Sequence, residues 1–278
     1  MHLVQPSVPS NDQLVAIRAL VAERARADGR DPLSDQALTQ LTSTGVQHVL
    51  AVADDDTVVG YAQRDGDSLE IVAGADAAGA LLGSFEGQPV LVWSHGQHSP
   101  LLDGLRASGF RAARELHQLR RPLTGPVDVP PLADGIEIHP FAVGMDEDAV
   151  LRVNAAAFAH HPEQGSWTRV DLAARQAESW FDPSGFLLAW RGTELLGFHW
   201  TKVHDDGAGE VYVLGVDPAA QGLGLGKALL NRGLAWLREH GCTEVLLYVD
   251  GDNTAAMALY ERAGFTRHDL DVQWAAGA

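Results

Sequence analysis

Cysteine is nearly absent from these 278 residues, and Cys242 stands alone. One thiol can form neither an internal disulfide nor a cysteine-cluster metal site. Long apolar runs are missing too. Nothing approaches the roughly 18 consecutive apolar residues of a membrane span, and the N-terminus lacks the basic-then-apolar order of a secretory signal. Cations are scarce, with 20 Lys and Arg against 37 Asp and Glu and a net charge of −17. That balance argues against nucleic acid, which calls for clustered Lys and Arg. These absences point to a cytoplasmic protein with no membrane or nucleic-acid partner. What is present, 46% hydrophobic and 21% charged residues, suffices for a packed core in two ordinary domains or one large one.

Periodicity divides the chain into two similar halves. In the first, Leu14, Ile17, Leu20 and Val21 mark an amphipathic helix over 11–28 capped by Asn11, and a second helix starts near Ser34. Alternating segments at 46–53, 57–63 and 68–73 read as strands, followed by a short helix over 74–83, a strand at 89–93, a helix at 101–108 and a strand from Phe110. Residues 121–134 hold four prolines and no period, so 123–134 is expected to be a linker between domains spanning 1–122 and 135–278. The second half repeats the plan: strand 136–140, helices 146–158 and 169–180, hairpin 185–203, strand 210–217, helix to about 240, strand 243–250, helix 253–263 and a last strand from Phe265. Val58-Val59-Gly60-Tyr61 matches Leu195-Leu196-Gly197-Phe198, and Gly109-Phe110 matches Gly264-Phe265. The expectation is an α/β chain with mixed sheets and an internal duplication.

The second half is organised around Glu210–Leu230, a strand, a glycine-rich turn and the start of a helix. Exposed N–H groups at a helix start bind anions, most often phosphate. Spacing rules out two nucleotide loops. A P-loop would place Gly at 221, which is Gln, and Ser or Thr at 228, which is Ala; a dinucleotide fingerprint would place Gly at 227, which is Lys. What remains is Gln-x-x-Gly-x-Gly at Gln221, Gly224 and Gly226. Downstream come the strand Leu246-Leu247-Tyr248-Val249-Asp250, then Asn253 and a helix ending Tyr260-Glu261-Arg262-Ala263-Gly264-Phe265. The first half has Gly74-Ala75-Asp76-Ala77-Ala78-Gly79 in the loop position and no such motif, so only the second half is expected to be catalytic.

Together these two motifs resemble the acetyl-CoA site of the GNAT N-acetyltransferases. His161-Pro162-Glu163-Gln164-Gly165, Gly197–His204 and Glu210–Pro218, with the tandem plan, are similar to the mycothiol synthase family. The resemblance covers nearly the whole chain, closely in the second half and loosely in the first. It implies two tandem GNAT acyl-CoA N-acyltransferase domains, the first degenerate. It also implies acetyl transfer from acetyl-CoA to the cysteinyl amine of the sugar–inositol thiol precursor of mycothiol.

The implied roles fall on particular residues. The N–H groups of Gln221, Gly222, Leu223, Gly224, Leu225, Gly226 and Lys227 would hold the pyrophosphate, with Lys227 adding charge. The edge of Leu214, Gly215 and Val216 would pair with the pantetheine arm. Asn253, Thr254, Ala255, Ala256, Met257 and Ala258 would line the other side. By resemblance Glu210 is the general base, and Tyr260 can donate a proton to the departing thiolate. Asp35, Glu163, Lys202 and Tyr248, with Glu210, would bind the polyhydroxylated acceptor. No metal is expected: His160-His161 has no third ligand at the right spacing. The chain is expected to be a monomer. Two alternatives stand beside this reading: a GNAT enzyme acting on another small amine or a protein N-terminus, and a non-catalytic acyl-CoA-binding module.

Overall fold

The computed structural model describes every residue except Pro89, Gln97, His98, Pro100, Pro162, Glu163, Gly277 and Ala278; for Asp35 and Ala75 it describes the backbone alone. The chain divides into two compact units. One comprises Met1–His117, Asp250–Asp252 and Asp269–Ala278; the other comprises Gln118–Val249 and Asn253–His268.

In the first unit the elements run β1 (His2–Val4), α1 (Asn11–Asp28), α2 (Asp35–Thr39), β2 (Gln47–Val52), β3 (Val58–Asp65), β4 (Ser68–Ala73), α3 (Ala75–Gly83), β5 (Leu91–His95), α4 (Leu101–Ala107) and the first part of β6 (Phe110–Pro122). Strands β1 to β4 pair antiparallel in order. Strand β4 then pairs parallel with β5, whose other edge takes Asp271–Ala275 from the end of the chain. Helices cover both faces, so β2 is buried on both. Val49 and Ala51 face a core with Leu69, Ile71 and Leu81, while Leu50 and Val52 face one with Ile17, Leu41 and Tyr61. Helix α1 is capped one residue earlier than expected. Ser10 Oγ accepts from the Gln13 N–H at 3.3 Å, and Gln13 Oε1 accepts from the Ser10 N–H at 2.9 Å. That reciprocal pair makes Ser10 the cap rather than Asn11.

The second unit takes in the end of β6, then β7 (Ile136–Pro140), α5 (Glu147–Ala157), α6 (Arg169–Gln176), β8 (Phe186–Arg191), β9 (Glu194–Val203), β10 (Gly209–Val216), α7 (Leu225–Glu239), β11 (Glu244–Asp250), α8 (Thr254–Arg262) and the start of β12 (Thr266–Ala276). Its strand order is β6-β11-β10-β9-β8-β7. The sheet is mixed: β10 and β11 are parallel, while β7 to β10 pair antiparallel. On one face Val211, Val245 and Leu247 pack against Leu230, Leu234 and Leu237 of α7. On the other, Phe186, Phe198, Trp200 and Val213 pack against Val150, Val153 and Leu172 of α5 and α6. Residues 124–134 form no helix or strand, yet they are tied to this unit. Asn231 Nδ2 donates to the Asp128 carbonyl at 2.6 Å, and Val127 and Leu132 pack on its cores.

Two local features depart from the periodic reading. Helix α6 stops at Gln176 rather than near 180, and Trp180 turns to pack on Trp200 and Tyr212, with ring centroids 5.7 and 4.8 Å away. The half-buried Trp180 thereby joins the aromatic cluster around Trp200. His199 points at α7 and donates from Nδ1 to the Leu229 carbonyl at 2.9 Å. It fits because the facing helix position is Gly233, where a Cβ would overlap the imidazole ring. Burial pushes the His199 pKa down to about 4, so the ring is neutral.

Candidate active site

The site grows from β10. Pairing with β9 shifts register between Val211 and Val213, so Tyr212 is the extra residue of a β-bulge. The parallel ladder to β11 covers only Gly209–Val245 and Glu210–Leu246. Beyond Glu210 the β11-facing edge of β10, including Leu214, Gly215 and Val216, has no ladder partner among the described residues. An extended amide chain can pair with such an edge.

The glycine turn follows. Asp217 Oδ1 accepts from the Ala219 N–H at 2.9 Å, which closes the tight turn Pro218–Ala220. Gly222 and Gly224 have φ of +84° and +74°, in the left-handed region that side chains disfavour. They reverse the chain just before α7 begins at Leu225. The N–H groups of residues 222–227 make no hydrogen bond within the protein among the described residues. A helix start leaves its first N–H groups free and carries partial positive charge. Lys227 is exposed and has no ion pair among the described residues, so it adds a full charge at the same end. Six of the seven expected residues, 222–227, thus present open N–H groups along one turn, while the Gln221 N–H donates to the Pro218 carbonyl at 3.4 Å.

Helix α8 is capped by Asn253, whose Oδ1 accepts from the Ala256 N–H at 3.1 Å. Thr254 and Ala255 are exposed and Ala256 and Ala258 half-buried, but Met257 is turned into the core with Leu234 and Val245. Its backbone can still line a ligand, whereas its side chain packs the interior. Tyr260 is also buried, its ring edge-on to Phe265 at 5.7 Å. Its hydroxyl makes no hydrogen bond within the protein among the described residues. Burial raises its pKa above that of free tyrosine, so it stays protonated near neutral pH and has a proton to donate.

Glu210 is 7% exposed and pairs in register with Lys202 on β9. Lys202 Nζ lies over Trp180 and Tyr212, 5.1 and 5.8 Å from their ring centroids. Such contacts favour a cation on an aromatic face. Tyr248 lies two residues beyond Leu246, on the face of the sheet that carries Glu210. It is 40% exposed, and its hydroxyl accepts from Gln118 Nε2 at 2.7 Å. Glu163 lies outside the described residues. Asp35 begins α2 in the first unit, and its side chain also lies outside them.

Sequence reasoning missed one partner. His204 Nε2 is 2.7 Å from Glu210 Oε2. The turn that joins β9 to β10 brings them together, with the Gly207 N–H donating to the His204 carbonyl and the His204 N–H to that of Ala208, both at 2.9 Å. Period-two alternation was the available signal, since it carries Lys202 and His204 along one face. Among the described residues, no group of three or more His, Cys, Asp or Glu could hold a metal ion.

Comparison with known proteins agrees with this geometry. Residues 154–265 match the Acetyltransferase (GNAT) family. A protein named mycothiol acetyltransferase from Geodermatophilus obscurus is 48% identical, covering 94% of this chain and 93% of its own. One of the same name from Streptomyces avermitilis is also 48% identical, over 95% and 92%. Among solved structures, a GCN5-related N-acetyltransferase from Sphaerobacter thermophilus superposes with TM-score 0.75 at 25% identity, covering 98% and 95% of the two chains. A tandem GNAT protein from the clavulanic acid pathway shares the fold, with TM-score 0.68 at 16% identity over 100% and 99%. The chain therefore belongs to the mycothiol acetyltransferases, tandem-GNAT enzymes that transfer acetyl groups.

Proposed function

We propose that this enzyme transfers the acetyl group of acetyl-CoA to the cysteinyl amine of cysteinyl-glucosaminyl-inositol, yielding mycothiol. The observation that carries the reading is the run of unpaired N–H groups from Gly222 to Lys227, directly after the strand that bears Glu210. It supports a pyrophosphate on the turn, the pantetheine arm along Leu214–Val216 and α8 from Asn253 to Ala258 on the far side. The thioester then lies toward Glu210.

An α-amine titrates near pH 8, so roughly a tenth is neutral at pH 7. Glu210 accepts the proton from the remainder, directly or through a water. The amine attacks the thioester carbonyl, the C–N bond forms and the C–S bond breaks. Tyr260, held protonated by burial, donates to the departing thiolate. Lys202 and Tyr248, with Glu210, hold the hydroxyl-rich acceptor, because buried hydroxyls need partners. No helix among the described residues is long and apolar enough to cross a membrane. A cytoplasmic monomer acting on a small-molecule thiol suits that and the acidic surface.

Incubation with acetyl-CoA and the free amine should give a product heavier by one acetyl group in mass spectra. No such product at saturating acetyl-CoA overturns the reading. Replacing Glu210 by Gln should lower kcat about a hundredfold while leaving acetyl-CoA affinity unchanged by calorimetry. Full activity of that variant at neutral pH removes Glu210 as the base.

A further inference from the structure

Glu210 has a partner that the reaction above leaves without a role. His204 Nε2 reaches Oε2 at 2.7 Å, while Oε1 makes no hydrogen bond within the protein among the described residues. A carboxylate is an acceptor only, so the proton between them sits on Nε2. The backbone on both sides of His204 is fixed, by β9 before it and by the turn to Ala208 after it. The imidazole is 31% exposed and the Glu210 side chain 10%. Burying a carboxylate is costly unless such a donor satisfies it.

We propose that His204 is a positioning residue for acetyl transfer. Its Nε2–H holds Oε2 and so fixes the carboxylate rotamer, leaving Oε1 to take the proton. That proton passes from the amine to Oε1 and then to water; His204 keeps its own. The assignment rests on the proposed function, since it needs Glu210 to be the base.

The test compares three chains on cysteinyl-glucosaminyl-inositol and acetyl-CoA. His204→Met fills similar space without a donor and should lower kcat about tenfold or more, with the KM for acetyl-CoA unchanged. His204→Gln keeps an N–H at similar reach and should recover most of that loss. In a Glu210→Gln background, His204→Met should add almost nothing. Should Met unfold the turn, His204→Asn replaces it, being too short to reach Oε2, with the same expectation. Wild-type turnover with an unimpaired His204→Met overturns this assignment alone. The same follows if Gln is as slow as Met, or if the loss is undiminished in the Glu210→Gln background. No wild-type turnover on any amine overturns the functional reading as well.

Discussion

Each unit places a glutamate where its parallel strand pair ends: Glu70 opposite Trp93 in the first, Glu210 opposite Leu246 in the second. Each glutamate also meets a histidine. The surroundings differ. Glu70 accepts from the Ser34 N–H and hydroxyl at 2.7 and 2.5 Å and from His95 at 3.3 Å, so both oxygens are engaged. His95 in turn lies 3.3 Å from Asp271, which Arg30 also contacts at 2.7 Å. Burial would raise the Glu70 pKa, but the hydrogen bonds and charge of His95 and Ser34 outweigh it and hold the group low. Glu210 has one oxygen held and one open. The strands differ as well: β4 pairs with β3 without a register shift, whereas β10 bulges at Tyr212. The same scaffold position thus holds a locked ion pair in one unit and a carboxylate with spare accepting capacity in the other. The difference between the two carboxylates is the number of lone pairs already engaged, which is what the proposed role of Glu210 as base requires.

The sharpest break of this comparison is steric. Gly233→Ala drives a methyl group into the fixed His199 ring and should destabilise the second unit by about 3 kcal/mol or more. At Gly60 in the first unit, a Cβ would meet Leu81 Cδ1 at 2.9 Å and the Cβ atoms of Ala73 and Ala77 at 3.2 Å, against 2.1 Å to the His199 ring at Gly233, so Gly60→Ala should cost less, about 1–2 kcal/mol. Urea midpoints of the two variants measure the difference, and equal shifts would contradict it.

The histidines predict opposite pH responses. Burial lowers the His95 pKa, but hydrogen bonds and charge from Asp271 and Glu70 outweigh it and raise it to about 9. Its contribution is complete below the unfolded value of about 6.5 and is lost as pH rises through about 9. Glu70 and Asp271, both held low, give way only in acid. His199 is depressed to about 4 by burial, so its contribution is complete above about 6.5 and is lost as pH falls toward 4. Each effect is at most about 3 kcal/mol. Amide exchange corrected for intrinsic rates should show the first unit loosening in base and the second in mild acid. Parallel responses would break the contrast.

The mildest test concerns the turns. Gly224→Val should raise the KM for acetyl-CoA about tenfold, because the left-handed backbone that presents the N–H groups would be strained. Gly74, at φ −71° before α3, has open space around it. Gly74→Ala should leave that KM unchanged in steady-state assays.

Most of the architecture was legible because burial imprints a period. Strands β2, β4 and β11 are apolar runs bounded by turn residues, and α7 shows Leu225, Leu229, Leu230, Leu234 and Leu237 at helical spacing. The glycine turn before α7 was legible because glycine is the residue that adopts its backbone freely. Strand β1 was missed: three residues, none of them fully buried, held by pairing with β2, leave no pattern. The His204–Glu210 pair was missed because a hairpin register, not sequence distance, decides which polar side chains meet. Met257 was misread in part, since a helix shows a ligand one face and the core another, and spacing alone does not say which.

The last strand has a consequence for synthesis. Val272 and Trp274 complete the first unit's core, and Asp271 pairs with His95 across the β5 edge. A ribosome releases the N-terminal residues long before it makes these. During elongation the growing chain therefore carries an open β5 edge and an unfilled core, which is a template for mispairing. The first unit's core closes only once Asp271–Ala275 are available to pair with β5. Loss of Asp271–Ala275 would thus be felt in residues far earlier in the chain, as aggregation of the first unit.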